Sequence, residues 1–215
     1  MVYPIGRFIV PPIYKLWLRR VKGLNNVPKD KPFIMAANHT SYYDVLLLPC
    51  IIVPKINKKI HALVNNYYWR NFFTRFFLDL WENIPVFVDK EKNTKENNKL
   101  ALKKALQHLK NNELIMIFPE GRRSYDGKLN KAYAGIARLA LQAQVPILPC
   151  GIIGSNQVLP KGKILPRFTK CEVKIGKLMY FKKYYNKKIN EKILEDITRR
   201  IMKQIAKLIA QKYNY

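Results

Sequence analysis

The chain has 215 residues, 48% of them hydrophobic, which is enough for one domain with a buried core and excludes a disordered tail. Forty Lys and Arg stand against fourteen Asp and Glu, and the resulting net charge of +26 favours an anionic partner such as a nucleic acid, a lipid headgroup or an acidic carrier protein. The three cysteines, Cys50, Cys150 and Cys171, are far apart and form no CxxC pair, so we expect reduced core residues in the cytosol and not a zinc site.

Residues 1–30 are predicted to form an N-terminal membrane-interface segment. The segment is apolar, but Pro4, Pro11, Pro12 and Lys15 interrupt it, and a membrane-spanning helix takes about 20 consecutive apolar residues. It has no small-residue cleavage site typical of a secretory signal. Aromatic and basic side chains alternate along it, as in segments that lie at a membrane surface. The alternative is a loop and short helix packed on the domain.

Strands and helices alternate along the rest of the chain. In chain order we predict a strand at 32–38, a helix at 44–53 that ends near Pro54, a strand at 59–65, a helix from Trp69 to Leu80, a strand at 84–88, a helix at 100–109, a strand at 113–119, a helix at 133–143, and strands at 145–153 and 171–176. Isoleucines at every fourth position from Ile189 to Ile209 predict a long amphipathic helix. This order indicates a single α/β domain at 31–180 with a largely parallel central sheet covered by helices, and residues 181–215 packed on it.

Two features of these elements admit two interpretations. The aromatic stripe of residues 69–81 is predicted to be the core face of a helix, although its Phe residues with Arg70 and Arg75 would also suit membrane docking. His61, in a predicted strand, and His108, on a predicted helix, are interpreted as structural residues.

Polar residues follow the first predicted strand at its carboxyl end, where α/β sheets bind their ligands. In the stretch NHTSYYD, from Asn38 to Asp44, His39 offers a base suited to neutral pH, and Asp44 can reach its other ring nitrogen. The chain has no GxSxG serine and no cysteine near His39 in sequence, so a substrate hydroxyl is the expected nucleophile. The alternative is that Asp44 caps a helix and His39 is a structural polar residue.

A second polar stretch, FPEGRRS at 118–124, follows the fourth predicted strand. Gly121 allows a sharp turn, and Glu120 can accept a hydrogen bond from a substrate hydroxyl. Arg122 and Arg123 offer planar guanidinium groups suited to a phosphate. The alternative is a polar surface loop with an ion pair. Because both stretches follow strand ends, they could converge on one site.

Together the two stretches resemble the motifs of the glycerolipid acyltransferase family, the lysophosphatidate acyltransferases and their relatives. NHTSYYD is similar to the family's His-four-residues-Asp signature, FPEGRRS to its Phe-Pro-Glu-Gly-x-Arg-Ser block, and VPILPCGI at 145–152 to its Val-Pro-Ile-x-Pro block. The resemblance runs from Phe33 to Gly176. It implies a glycerol-3-phosphate acyltransferase-like domain that docks on the cytoplasmic face of a membrane. It also implies acyl transfer to the free hydroxyl of 1-acyl-sn-glycerol 3-phosphate (lysophosphatidic acid), giving phosphatidic acid for phospholipid biosynthesis.

The resemblance assigns roles to individual residues. His39 matches the general base and Asp44 its orienting partner. The residues that match the substrate-binding blocks are Glu120, Gly121 and Arg123 on the glycerol-phosphate side and Pro146 in the block that shapes the acyl-acceptor site. The sequence departs from the family after the third predicted strand, where Asn83 and Lys90 replace the usual Gly and Arg. Lys90 would hold a phosphate as a point charge.

The expected chemistry needs no metal and no cofactor, because the thiolate of acyl-CoA or acyl carrier protein leaves readily. We therefore predict direct transfer from the donor thioester to the acceptor hydroxyl, without an acyl-enzyme. Other acceptors, glycerol 3-phosphate or a lysophospholipid, are alternatives within the family. A basic nucleic-acid-binding protein is a third hypothesis, which rests on charge alone because no nucleic-acid-binding motif is visible. A catalytically silent family member is a fourth, against which the intact His39, Asp44 and Glu120 argue.

Overall fold

A seven-stranded sheet runs through the molecule. The computed structural model describes residues 12–87, 93–160, 162–163 and 165–215. The strands are β1 (Leu18–Lys22), β2 (Ile34–Ala37), β3 (Ile60–Asn65), β4 (Ile84–Val86), β5 (Leu114–Ile117), β6 (Ile147–Ile153) and β7 (Cys171–Ile175). Their spatial order is β1-β7-β6-β2-β5-β3-β4, and of these neighbouring pairs only β6 and β7 run antiparallel. The prediction of a largely parallel sheet is confirmed.

Helices cover both faces of this sheet. The helices of the described residues are α1 (Tyr43–Ile56), α2 (Phe72–Leu80), α3 (Thr94–Lys110), α4 (Gly135–Ala143), α5 (Ser155–Val158) and α6 (Glu191–Leu208). Successive side chains of a strand point to opposite faces. In β2, Ile34 and Ala36 pack with α3, α4 and α6, whereas Met35 and Ala37 pack with α1. This division explains why the central strands are apolar at every position, and it confirms the α/β class.

The helix predicted to end near Pro54 continues to Ile56. A proline costs a helix one backbone hydrogen bond, and close to the end of a helix that loss does not stop the last turn. The helix ends where Asn57 adopts a left-handed conformation, with φ of 50°, and its N–H bonds the carbonyl of Val53. The predicted boundary was therefore two residues too early.

The aromatic segment departs further from its prediction. It is a 3-10 helix at Asn66–Arg70 followed by α2, and between them the Asn71 side chain accepts hydrogen bonds from the N–H groups of Phe73 and Thr74. The members of what we call the phenylalanine face, Phe72, Phe73, Phe76, Phe77 and Leu80, are between 50% and 77% exposed. The core interpretation of this stripe was wrong, because the helix packs mainly on the preceding turn and leaves this face in solvent.

Both ends of the described chain pack on the sheet. Residues 1–11 of the predicted membrane-interface segment lie outside the described residues. Further along the same segment, Leu18–Lys22 forms the edge strand β1, which the sequence did not predict, and Tyr14 stacks on Tyr43 with ring centroids 4.9 Å apart. The C-terminal isoleucines pack as predicted, with Ile197 and Ile201 fully buried. Among the described residues, none of the helices is both long and apolar enough to cross a membrane.

Candidate active site

The His39 side chain stands just beyond the carboxyl end of β2. Its Nδ1 lies 2.9 Å from Oδ2 of Asp44, and the same oxygen accepts the backbone N–H groups of Thr40 and Ser41 at 2.8 Å each. Asp44 is fully buried. Because the carboxylate can only accept, the proton of the neutral His39 ring sits on Nδ1, and Nε2 carries the free lone pair.

Two hydrogen bonds join the backbone of His39 to the FPEGRRS segment. The N–H of His39 donates to Oε1 of Glu120 at 3.1 Å, and the carbonyl of His39 accepts the N–H of Ser124 at 2.8 Å. The His39 ring also stacks on Phe118, with centroids 4.0 Å apart. The parallel pairing of β2 with β5 brings the two stretches side by side at one edge of the sheet. The predicted convergence of the two stretches is therefore observed.

The Glu120 side chain is held by protein groups on both oxygens. It is 1% exposed, and its Oε2 accepts the backbone N–H and the side-chain amide of Asn130 at 2.7 and 3.0 Å. Burial raises its pKa, and these hydrogen bonds oppose the rise. Glu120 thus contacts the backbone of His39, and its contact with a substrate hydroxyl stays a prediction. Gly121, with φ of 66°, forms the expected tight turn.

A cavity of about 480 Å³ opens beside this pair of loops. Its lining includes Thr40, Arg123, Asn156, Arg167 and Thr169. The guanidinium of Arg123 lies 3.5 Å from the ring centroid of Tyr42. The hydroxyl of Thr169 is buried without a hydrogen-bond partner among the described residues. Sequence reasoning found Arg123 but missed Arg167 and Thr169, because these two lie between α5 and β7, where the sequence carries no motif.

One predicted site residue, Pro146, lies away from the cavity, and another, Lys90, lies outside the described residues. Pro146 precedes β6, whose first residue, Ile147, pairs with Ile34 at the start of β2, so Pro146 lies at the amino ends of these strands. His39 follows the carboxyl end of β2, on the opposite edge. Pro146 is buried, and its carbonyl accepts the N–H of Ile34 at 3.0 Å, so its place is in the sheet and not in the site.

A comparison with known protein families finds one that matches more than half of the chain. The family model described as Acyltransferase matches residues 19–153. The chain belongs to the acyltransferase family. The matched residues include His39, Asp44 and the whole FPEGRRS segment.

Two relatives of this acyltransferase-family chain are named as 1-acyl-sn-glycerol-3-phosphate acyltransferases. A chloroplastic 1-acyl-sn-glycerol-3-phosphate acyltransferase of Brassica napus is 25% identical over 70% of this chain and 41% of its own length. The 1-acyl-sn-glycerol-3-phosphate acyltransferase alpha of Mus musculus is 28% identical over 72% of this chain and 52% of its own. The chain thus spans about half the length of the curated relatives it matches.

A solved structure shares the fold of this family member. The crystal structure of the 1-acyl-sn-glycerophosphate acyltransferase PlsC from Thermotoga maritima superposes with a TM-score of 0.64 at 22% identity. The match covers 98% of this chain and 83% of that one. At this identity the likeness establishes the architecture, an α/β domain with a mostly parallel sheet between helices.

Proposed function

We propose that this protein transfers an acyl chain from a thioester to the free hydroxyl of lysophosphatidic acid, which yields phosphatidic acid. The observation that carries the proposal is the hydrogen-bonded pair of His39 and Asp44 beside an arginine-lined cavity. Membership in the acyltransferase family and the names of its relatives support it. The family membership supports acyl transfer, and the arginines that line the cavity support a phosphorylated acceptor.

The proposed mechanism uses one base and no covalent enzyme intermediate. Nε2 of His39 takes the proton of the acceptor hydroxyl as its oxygen attacks the thioester carbonyl. Asp44 stabilises the imidazolium that forms. The tetrahedral intermediate then collapses and its C–S bond breaks. His39 returns the proton to the thiolate, which leaves as the free thiol. General-base help of this kind contributes about 10²- to 10⁴-fold in rate. The proposed reaction needs neither a metal nor a cofactor.

Arg123 is proposed to hold the acceptor phosphate, and Arg167 faces the same cavity. Arg123→Ala should raise KM for lysophosphatidic acid about 10- to 100-fold, since a charge-assisted hydrogen bond contributes about 1.5–3 kcal/mol. Steady-state kinetics with lysophosphatidic acid and with monoacylglycerol, which lacks the phosphate, would measure this. Arg122→Ala is the matched control, because the neighbouring Arg122 is exposed and outside the cavity lining. An equal loss with both acceptors would contradict a phosphate contact. Lys90 remains a proposed second phosphate ligand.

The phenylalanine face is proposed to dock on the membrane that supplies the acceptor. Five exposed apolar side chains share this face of α2, and the chain carries a net charge of +26 that would attract anionic headgroups. Docking through apolar side chains survives a salt wash, whereas purely electrostatic binding does not.

Replacing Phe76 and Phe77 together with Ser is therefore expected to weaken binding to phosphatidylglycerol-containing vesicles at least about tenfold in high salt, because each Phe loses apolar burial worth about 1.5–3 kcal/mol when complete. Vesicle flotation in high salt measures the bound fraction. Tyr215→Ser removes an exposed aromatic elsewhere and should leave binding unchanged. Equal binding by the double variant and the wild type would exclude α2 as the docking element.

The decisive test of the substrate assignment is a matrix of acceptors and donors. Purified protein in mild detergent would be offered lysophosphatidic acid, glycerol 3-phosphate and lysophosphatidylcholine, each with oleoyl-CoA and with an acylated carrier protein. We expect phosphatidic acid as the main product by mass spectrometry. The excess of basic residues supports an acidic carrier protein as donor. Product from another acceptor alone would establish the alternative substrate, and no product in any combination would refute the proposed activity.

A further inference from the structure

A second group of ionisable side chains lies at the opposite edge of the sheet from His39. His61 stands near the amino end of β3, Glu113 directly precedes β5, His108 is in the last turns of α3, and Glu82 precedes β4. One possible ligand atom from each of the four lies within 4.8 Å of every other. Glu113 belongs to this group, and Phe118, five positions later, stacks on His39. At a strand rise of about 3.3 Å per residue, the group therefore lies about 16 Å from the active site. The group takes no part in the acyl-transfer chemistry.

The hydrogen-bond partners of His61 determine which of its nitrogens has a free lone pair. Its side chain is fully buried, and Nδ1 lies 3.0 Å from the backbone carbonyl of Glu82. A carbonyl can only accept, so Nδ1 carries the proton of the neutral ring. Nε2 therefore has a lone pair, and it faces Oε2 of Glu113 at 3.2 Å. Two acceptors at this distance repel each other unless a proton or a metal ion lies between them.

Glu113 meets a second imidazole at the same oxygen. Nδ1 of His108 lies 2.7 Å from Oε2 of Glu113, and the two imidazole rings stack with centroids 3.7 Å apart. One carboxylate oxygen thus faces two ring nitrogens that come from different elements of the fold. The side chains of His108 and Glu113 are 20% and 22% exposed, so both can turn toward a shared ion and the ion can reach them from solvent.

We propose that His61, His108 and Glu113 bind a divalent transition-metal ion with the coordination preferences of Zn²⁺. Neutral imidazole and carboxylate are the ligands such ions take, at about 2.0–2.2 Å, in tetrahedral sites. The backbone carbonyl on Nδ1 of His61 is the outer partner that orients a metal-bound imidazole through Nε2. Glu82, whose carboxylate lies 2.9 Å from the Lys59 ammonium, or a water completes the coordination. The ion would join β3, β5 and α3 and so stabilise the fold.

The test uses tag-free full-length protein stripped with a chelator. Cobalt(II), a spectroscopic substitute for zinc, should bind with a stoichiometry of one per chain and give visible d–d absorption that Zn²⁺ displaces. A Zn²⁺ concentration a hundredfold above Kd should raise Tm by roughly 5 to 10 °C. His108→Gln and Glu113→Gln should each weaken binding at least about tenfold, as loss of a ligand does.

The third histidine supplies the matched control. His39→Ala removes an imidazole from the opposite edge and should leave the cobalt spectrum and the Zn²⁺-induced Tm shift unchanged. Absence of saturable binding by the wild type would overturn the proposal, as would binding that persists in both ligand variants. Loss of binding in His39→Ala alone would place the ion at the active site and also overturn it. If Glu113→Gln fails to fold, His108→Gln alone serves as the ligand variant, because the His108 side chain is partly exposed.

Discussion

Replacing His39 with Ala is expected to lower kcat for phosphatidic acid formation by about 10²- to 10⁴-fold, the usual worth of a positioned general base. Nδ1 is engaged by Asp44, so Nε2 is the nitrogen that can take the proton of the acceptor hydroxyl. Initial rates with lysophosphatidic acid at saturating donor would measure the loss.

The His39 side chain is 13% exposed, so its removal should leave the fold intact, and a thermal melt checks this. Lysophosphatidic acid should still bind, because Arg123 and the cavity are unchanged. A variant that folds and retains more than about a tenth of the wild-type kcat would show that another group activates the hydroxyl.

Asp44→Asn is expected to cost a similar factor, about 10²- to 10⁴-fold in kcat, through the state of His39. In the place of Oδ2, the amide oxygen of Asn can accept the same two backbone N–H groups and the Nδ1–H of His39. The tautomer of the ring is then unchanged, but the amide carries no charge. The imidazolium that forms when His39 takes the hydroxyl proton therefore loses the carboxylate that stabilises it.

The kinetic signature separates this effect from simple disruption. KM for lysophosphatidic acid should stay within about threefold of the wild-type value, because loss of the Asp44 charge acts on the chemical step. Since Asn fills the same space, the melting temperature should also change little compared with Asp44→Ala, which leaves buried N–H groups unpaired. A rise in KM and a fall in kcat, together with a large loss of Tm, would indicate a structural role instead.

The sequence predicted the elements that build the site, because the chemistry sits on local motifs at strand ends. NHTSYYD and FPEGRRS each follow an apolar run that can only be a buried strand, and parallel strands bring their carboxyl ends to one edge. His39, Asp44 and Glu120 could be named for this reason, and the family resemblance selected Arg123 over Arg122. The burial of Glu120 could not be predicted, because the position of its hydrogen-bond partner Asn130 depends on the path of the loop and not on any periodicity.

Features that depend on long-range packing were missed. The register of β6 against β2 moves Pro146 to the far edge of the sheet, although its motif resembles a substrate-binding block. The phenylalanine face has the helical spacing of a core stripe, and only the position of α2 shows that no other described part of the chain covers it. His61 and Glu113 are 52 positions apart in sequence and meet because β3 and β5 are neighbours in the sheet. Periodicity identifies a face of an element but not what that face meets.

One time course tests direct acyl transfer most directly. Rapid-quench samples of purified protein with lysophosphatidic acid and oleoyl-CoA, or the acyl carrier donor if that is preferred, would be assayed for free thiol and for phosphatidic acid together. We predict that free thiol and phosphatidic acid appear in equal amounts from the first turnover. A burst of thiol equal to the enzyme concentration before any phosphatidic acid would reveal an acyl-enzyme, and thiol without phosphatidic acid would reveal a thioesterase. Either of those results would contradict the mechanism proposed for His39 and Asp44.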